Sequence, residues 1–241
     1  MRSLVVIPSR LGAVRLPSKP LADIHGVPMI RRVFDNIQRA NFTSVWVAYD
    51  DDEIGALFNP EDCVKTSDCL TGSDRIAQAI ELRNAWNDFD VIINVQGDTP
   101  CFDARVLSYL FAPFRYDEVS MVTLVSELDY SQLAIPSSVK AVCSPAPLPG
   151  YWCCYDFQRI LETPDPKMSY KYHWGIYGFR PSALKAFYSW PQCDTEKERS
   201  LEQLRFLHHG HQIWAAEVPS CYPYMCVDTP SDLERVRETL G

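Results

Sequence analysis

Leu4-Val5-Val6-Ile7-Pro8-Ser9-Arg10-Leu11-Gly12-Ala13-Val14-Arg15-Leu16-Pro17-Ser18-Lys19-Pro20-Leu21 changes character at Pro8. The opening run Leu4 to Ile7 is apolar without a break, the pattern of a strand buried on both faces. The remainder reads as a loop, because Gly12 and the prolines discourage a helix. Three cations, Arg10, Arg15 and Lys19, fall within ten residues of it. Directly after a strand, such a loop can turn backbone N–H groups and cationic side chains toward a polyphosphate. A solvated basic loop has the same spacing, and the segment alone does not separate the two. It matches neither the Walker A sequence nor the G-x-G-x-x-G fingerprint.

Working outward, Ile30, Val33, Phe34 and Ile37 fall at helical spacing within 29–40. Ser44 to Tyr49 reads as a second strand and 51–58 as a short helix. Ile76, Ala79 and Ile80 share one face of a helix over 73–86. Val91-Ile92-Ile93-Asn94-Val95 reads as a third strand, 103–112 as helical, and Val119 to Val125 as a further strand. This alternation predicts an α/β fold, with a mostly parallel central sheet flanked by helices. Ligands in such sheets collect beyond the carboxyl ends of the strands. That directs attention to residues 8–19, to Asp50-Asp51 and to Gln96-Gly97-Asp98.

From about residue 136 the texture changes, with Pro145, Pro147, Pro149 and Gly150 in one loop-rich stretch. Residues 172–179 and 212–218 read as strands, and 182–189 and 196–209 as helices. The last helix is marked by Thr229 as cap, Pro230 at its first position and Asp232 in a box-like T-x-x-D. Leu233, Val236 and Leu240 form its buried stripe. We expect one α/β domain over 1–241, in which residues about 136–190 contribute a smaller lobe.

Composition narrows the function classes. The 241 residues are 46% hydrophobic and 22% charged, which argues against disorder. The formal charge of −8 argues against non-specific nucleic-acid binding. No apolar run approaches the ~18 residues of a spanning helix, so no membrane span is expected. Leu4 to Pro8 is too short for a secretory segment. The nine cysteines form no C-x-x-C pair. They are expected to be reduced thiols of a cytoplasmic protein, each a small buried hydrophobe.

Several residues can carry chemistry. Thr71-Gly72-Ser73-Asp74-Arg75 opens a helix, whose N-terminus suits a phosphate and to which Arg75 adds charge. An ordinary cap by Ser73 fits equally well. Asp98 follows a strand and Asp228 ends an extended segment. Together with phosphate oxygens and water they can complete an octahedral Mg²⁺ site, although each also reads as a turn or helix-start residue. His173 lies on a strand, where a lone histidine is more often structural. His208, His209 and His211 read as a polar C-terminal turn.

In their order along the chain, IPSRLGAVRLPSKPL, TGSDRIA, NVQGDTP, SVKAV, HWGIYGFRP, LEQLRFLHHG and VDTPSDLERV resemble the 3-deoxy-manno-octulosonate (Kdo) cytidylyltransferase family. The resemblance runs from about residue 4 to residue 240. It implies a nucleotidyltransferase, Rossmann-like fold with a smaller lobe, a homodimer, and Mg²⁺ as cofactor. It implies transfer of CMP from CTP to the 2-hydroxyl of Kdo, releasing pyrophosphate and giving CMP-Kdo for lipopolysaccharide synthesis. By this similarity Pro8, Ser9, Arg10, Arg15, Lys19, Ser73, Arg75 and Asp98 contact the nucleotide. Gln96, His173, Tyr177, Glu202 and Gln203 line the acidic-sugar side. Asp98 and Asp228 hold the metal and, with Arg10 and Lys19, carry catalysis. The chain departs from the family in having Thr99 where a glutamate is usual. It also reads Cys153-Cys154-Tyr155-Asp156-Phe157-Gln158-Arg159 where a serine-arginine pair is expected. These departures keep two alternatives open: a different 2-keto sugar acid, such as an amino-Kdo or a sialic-type acid, or a non-catalytic nucleotide-sugar-binding protein.

Overall fold

Leu4, Val5, Val6 and Ile7 are completely buried, as an apolar run inside a covered parallel sheet must be. The computed structural model describes every residue except 13, 14, 41 and 43. The chain begins with β1 (Ser3–Ser9), the short pair β2 (Asp23–Ile24) and β3 (Val27–Pro28), and α1 (Met29–Arg39). It continues through β4 (Val45–Tyr49), α2 (Asp52–Gly55), β5 (Cys63–Lys65), α3 (Gly72–Leu82), β6 (Val91–Asn94) and β7 (Cys101–Phe102). Next come β8 (Met121–Glu127), β9 (Lys140–Pro145), β10 (Tyr151–Gln158) and β11 (Ser169–Phe179). The chain ends with α4 (Pro181–Ser189), α5 (Asp194–Arg199), α6 (Gln203–His208), β12 (Ile213–Glu217), β13 (Tyr224–Met225) and α7 (Pro230–Leu240). These elements form two compact units: Met1–Arg105 with Tyr222–Gly241, and Val106–Cys221.

In the first unit the strands lie in the order β5-β4-β1-β6, and every pair is parallel. From β1 the chain moves outward to β4 and β5, then returns to the other side of β1 as β6. The strand order therefore reverses beside β1. Met29, Ile30, Val33, Phe34 and Ile37 form the buried stripe of α1, and Ile76, Ala79 and Ile80 that of α3. β7 pairs antiparallel with β13, which ties the segment after Asp98 to the segment before Asp228.

In the second unit the order is β11-β8-β12-β10-β9, and β9 also pairs with β11, so the five strands close on themselves. Only β8–β12 is parallel here; the other pairs are antiparallel. The sheet is therefore mixed rather than mostly parallel. The Pro- and Gly-rich stretch explains part of this. It is the tight connection between β9 and β10, with Gly150 at φ +80°, and so short a loop joins only antiparallel strands. The textural break near residue 136 falls inside this unit.

Two helical expectations are corrected. Residues 196–209 are not one helix: Ser200, at φ +53°, ends α5, and α6 starts at Gln203. Within 103–112 the helix is of the 3-10 type, Ala104–Leu110. No helix among the described residues is long and apolar enough to cross a membrane. All nine cysteines are free thiols. Cys221 is exposed, and Cys63, Cys69 and Cys226 are half-buried, so the expectation of burial holds for the other five only.

Candidate active site

The carboxyl ends of β1 and β6 lie side by side where the strand order reverses, the position at which open parallel sheets bind ligands. The 10–19 loop leaves one strand and the 96–98 loop the other. Gly97 permits their close approach: a Cβ there would lie 2.9 Å from both the Pro8 carbonyl oxygen and Ile30 Cδ1. Gly72, at the start of α3, is similarly confined: a Cβ there would lie 3.1 Å from Gln96 Oε1 and 3.2 Å from Pro8 Cγ. Pro8, Gln96 and the α3 N-terminus are thereby brought to one place.

The charged centre lies beyond these loops. The Lys19 ammonium donates to Asp98 Oδ2 at 2.6 Å, to the Val227 carbonyl at 3.0 Å and to Asp228 Oδ1 at 3.4 Å. Arg15 pairs with the same Asp228 oxygen at 3.1 Å. Residues from the start, middle and end of the chain thus meet at one ammonium. The backbone carries them there, since Val227 N–H donates to the Asp98 carbonyl at 2.8 Å. The α7 capping box also fixes Asp228: Asp232 Oδ2 accepts the N–H groups of Asp228 at 3.1 Å and Thr229 at 2.9 Å. Burial alone would lower the Lys19 pKa. The Asp98 carboxylate, and then Asp228, outweigh it and raise the value, so the ammonium is charged.

The other nucleotide-side residues differ in exposure. Arg10 is exposed and makes no ion pair among the described residues. The Ser9 hydroxyl is buried without a hydrogen-bond partner. Arg75 turns inward, with only 5% of its side chain exposed; it donates to Thr66 Oγ1 at 2.6 Å and lies 3.5 Å from Asp50 Oδ2. Asp50 Oδ1 in turn accepts the Leu11 N–H at 3.0 Å, so this carboxylate anchors the start of the 10–19 loop. Sequence reading located Asp50 at a strand end but gave it no role. Thr71, not Ser73, caps α3; Ser73 is buried and accepts a bond from Asn94 Nδ2 at 3.2 Å. Thr99 is buried with Oγ1 3.6 Å from Cys226 Sγ. Burial first, then the Asp98 charge, pushes the Cys226 thiol up to about 12, so it is no nucleophile near neutral pH.

The residues expected on the sugar side, other than Gln96, belong to the second unit. Thr123 Oγ1 donates to the Ile176 carbonyl at 2.7 Å, so at 3.0 Å it accepts from His173 Nε2–H. That fixes the tautomer. Burial lowers the His173 pKa to about 3, and its neutral ring packs beside Phe157 and Tyr177. Tyr177 donates to Gln203 Oε1 at 3.1 Å, while Gln203 Nε2 is buried with no partner. Burial, and then the Glu202 charge, raises the Tyr177 pKa well above its usual value, so the phenol remains a donor. Arg159 donates to the carbonyls of Arg199 at 2.6 Å and Ser200 at 2.9 Å, holding the turn that precedes Glu202 and Gln203. His209 and His211 lie against Trp190, His209 stacked at 4.1 Å, so this turn is aromatic rather than simply polar.

The donor set fits a hard divalent cation. Two carboxylates and a carbonyl surround a point already taken by one positive charge. No cluster of three or more His, Cys, Asp and Glu side chains that could hold a metal occurs among the described residues. A cation at Asp98 and Asp228 therefore needs phosphate oxygens and water to complete its shell, which is how Mg²⁺ usually binds beside nucleotides.

Comparison with solved structures shows the shared fold first. The fold is shared with a putative glucose-1-phosphate thymidylyltransferase from Bacillus anthracis, at a TM-score of 0.63 and 16% identity over 98% of this chain and 94% of that one. This fold, taken with the family match and the relatives that follow, defines an enzyme of the nucleotidyltransferase type. More specifically, the chain belongs to the cytidylyltransferase family, whose model matches residues 4–213. It is 37% identical to the 3-deoxy-manno-octulosonate cytidylyltransferase of Paramagnetospirillum magneticum, over 98% of this chain and 97% of that protein. It is 35% identical to 3-deoxy-manno-octulosonate cytidylyltransferase 1 of Actinobacillus pleuropneumoniae over the full length of both. The structure of CMP:2-keto-3-deoxy-manno-octonic acid synthetase complexed with CTP superimposes at a TM-score of 0.84, with 31% identity over 100% of this chain and 98% of that one.

Proposed function

We propose that this chain transfers CMP from CTP to the 2-hydroxyl of Kdo, releasing pyrophosphate. The observation that carries the reading is the convergence of Asp98 and Asp228 on Lys19, with Arg15 alongside, at the carboxyl ends of a nucleotidyltransferase sheet. Full-length relatives named for this reaction support the choice of nucleotide and sugar acid.

The sugar hydroxyl attacks the α-phosphorus in line while pyrophosphate departs. Negative charge builds on the non-bridging oxygens and on the leaving group. Lys19 and Arg15, with exposed Arg10, supply formal positive charge on the loop that faces those oxygens. Asp50 and Gly97 hold that loop and the 96–98 loop in fixed relation to β1. Asp98 and Asp228 would hold Mg²⁺, which when bound supplies Lewis-acid neutralisation of the phosphates. In the second unit Gln203 keeps its Nε2–H groups unspent while its Oε1 accepts from Tyr177, and the family resemblance puts both residues on the sugar-acid side. Aligning the two substrates, with no covalent enzyme intermediate, accounts for most of the acceleration.

The test is a pyrophosphate-release panel with CTP and Kdo, an amino-Kdo and a sialic-type acid. Release with Kdo at the highest kcat/KM is expected. Release with another acid alone reassigns the sugar. CTP binding without release across the panel rejects catalysis.

A further inference from the structure

Lys19 stands where a cation would have to stand. Its ammonium is within hydrogen-bond distance of Asp98 Oδ2, Val227 O and Asp228 Oδ1, and Arg15 covers Asp228 from another direction. Two positive side chains thus face two negative ones, and the group carries no net charge. No further His, Cys, Asp or Glu joins these residues in a metal-holding cluster among the described residues. A divalent ion approaching Asp98 and Asp228 would meet an ammonium at contact distance, and that repulsion removes the attraction of the carboxylates.

We propose that Lys19 is the place-holder of the metal site: without nucleotide it occupies the two carboxylates, and a triphosphate opens them to a divalent cation by drawing Lys19 and Arg15 onto its own oxygens. This rests on the proposed function, which puts a triphosphate at the 10–19 loop. The chemistry favours the exchange. The lysine stem is unbranched and flexible, so its ammonium can change partners. The Arg15 side chain is 66% exposed, free to turn toward an incoming anion. Once both cations move, Asp98 and Asp228 repel each other, and a divalent cation shared with the phosphates relieves that repulsion. Nucleotide and metal then each strengthen the binding of the other by the same factor. The free enzyme holds metal weakly, so the ion arrives with the nucleotide.

The experiment is Mn²⁺ titration of the nucleotide-free protein, with unbound Mn²⁺ read by electron paramagnetic resonance. Wild type is compared with Lys19→Met, Lys19→Ala and Arg15→Ala, each first shown to be folded by circular dichroism and thermal melting. Arg15 is exposed enough that its variant keeps the comparison open should both Lys19 variants fail to fold. The Lys19 variants are expected to bind one Mn²⁺ at least about tenfold more tightly than wild type, because a positive charge at contact distance has been removed. Arg15→Ala should gain less, and adding Asp98→Asn to Lys19→Ala should abolish the gain. Unchanged Mn²⁺ affinity in every folded variant overturns the proposal. Turnover with CTP and Kdo is measured separately. A wild-type chain that turns over while its variants show no gain loses the place-holder and keeps the reaction. A gain without wild-type turnover does the reverse.

Discussion

Acidification should destabilise the second unit through His173, and the size of the effect follows from its surroundings. The ring is buried, donates through Nε2–H to Thr123, and has a pKa lowered to about 3 by burial. In the unfolded chain the same ring titrates near the ordinary histidine value of 6.5. Between these values the unfolded state binds the extra proton, so stability rises with pH across the window and is lost as pH falls from about 6.5 toward 3. The linkage amounts to about 1 kcal/mol between pH 7 and pH 5.5, and to about 2–3 kcal/mol by pH 4.5. His173→Gln keeps a donor toward Thr123 and cannot titrate in this range. The assay is urea unfolding of both proteins from pH 4.5 to 7.5, followed by fluorescence. Trp152, Trp174, Trp190 and Trp214 report on this unit. The variant should be the less stable at pH 7, having lost ring contacts with Phe157 and Tyr177. The gap should then narrow by the amounts above as the pH falls. A gap that is constant over this range refutes the assignment of a neutral, buried His173.

Other consequences concern the first unit. Asp98→Asn removes a carboxylate charge without removing volume, and should abolish pyrophosphate release while leaving the melting temperature within a few degrees of wild type; near-normal turnover at saturating Mg²⁺ rejects the metal role. Gly97→Ala places a methyl 2.9 Å from the Pro8 carbonyl and should cost about 1–3 kcal/mol of stability, with a raised KM for CTP; unchanged melting and kinetics would show that the loops are not in contact there. Asp232→Ala removes the acceptor shared by the Asp228 and Thr229 N–H groups, so about 1 kcal/mol of stability should be lost, together with activity, as read by melting and by initial rates.

Local physics made much of the fold legible. Leu4 to Ile7 and Val91 to Asn94 could satisfy their apolar side chains only as covered strands, and Met29 to Arg39 carried its buried stripe at helical spacing. The α7 start was readable because Thr229, Pro230 and Asp232 each act within one turn. Strand direction in the second unit was less accessible, because pairing partners such as β8 and β12 are set by closure of the five strands rather than by either sequence. The break at Ser200 depends on a left-handed residue held by Arg159, a contact across 41 positions. The site divided in the same way. Asp98 and Asp228 were legible as carboxylates at the ends of extended segments, but their meeting at Lys19 bridges 79 and 209 positions and had no local signature. The inward turn of Arg75 toward Thr66 and Asp50 had no local signature, because a cation in the first turn of a helix suits solvent, phosphate or a buried partner equally well.

The most direct test of the metal site is a crystal grown with CTP and Mn²⁺, with anomalous scattering recorded to locate the ion. A single peak bridging carboxylate oxygens of Asp98 and Asp228 at about 2.1 Å, with triphosphate oxygens completing the shell and Lys19 moved onto the nucleotide, is the expected result. Bound CTP with Lys19 still between the two aspartates, and manganese elsewhere or absent, would contradict it.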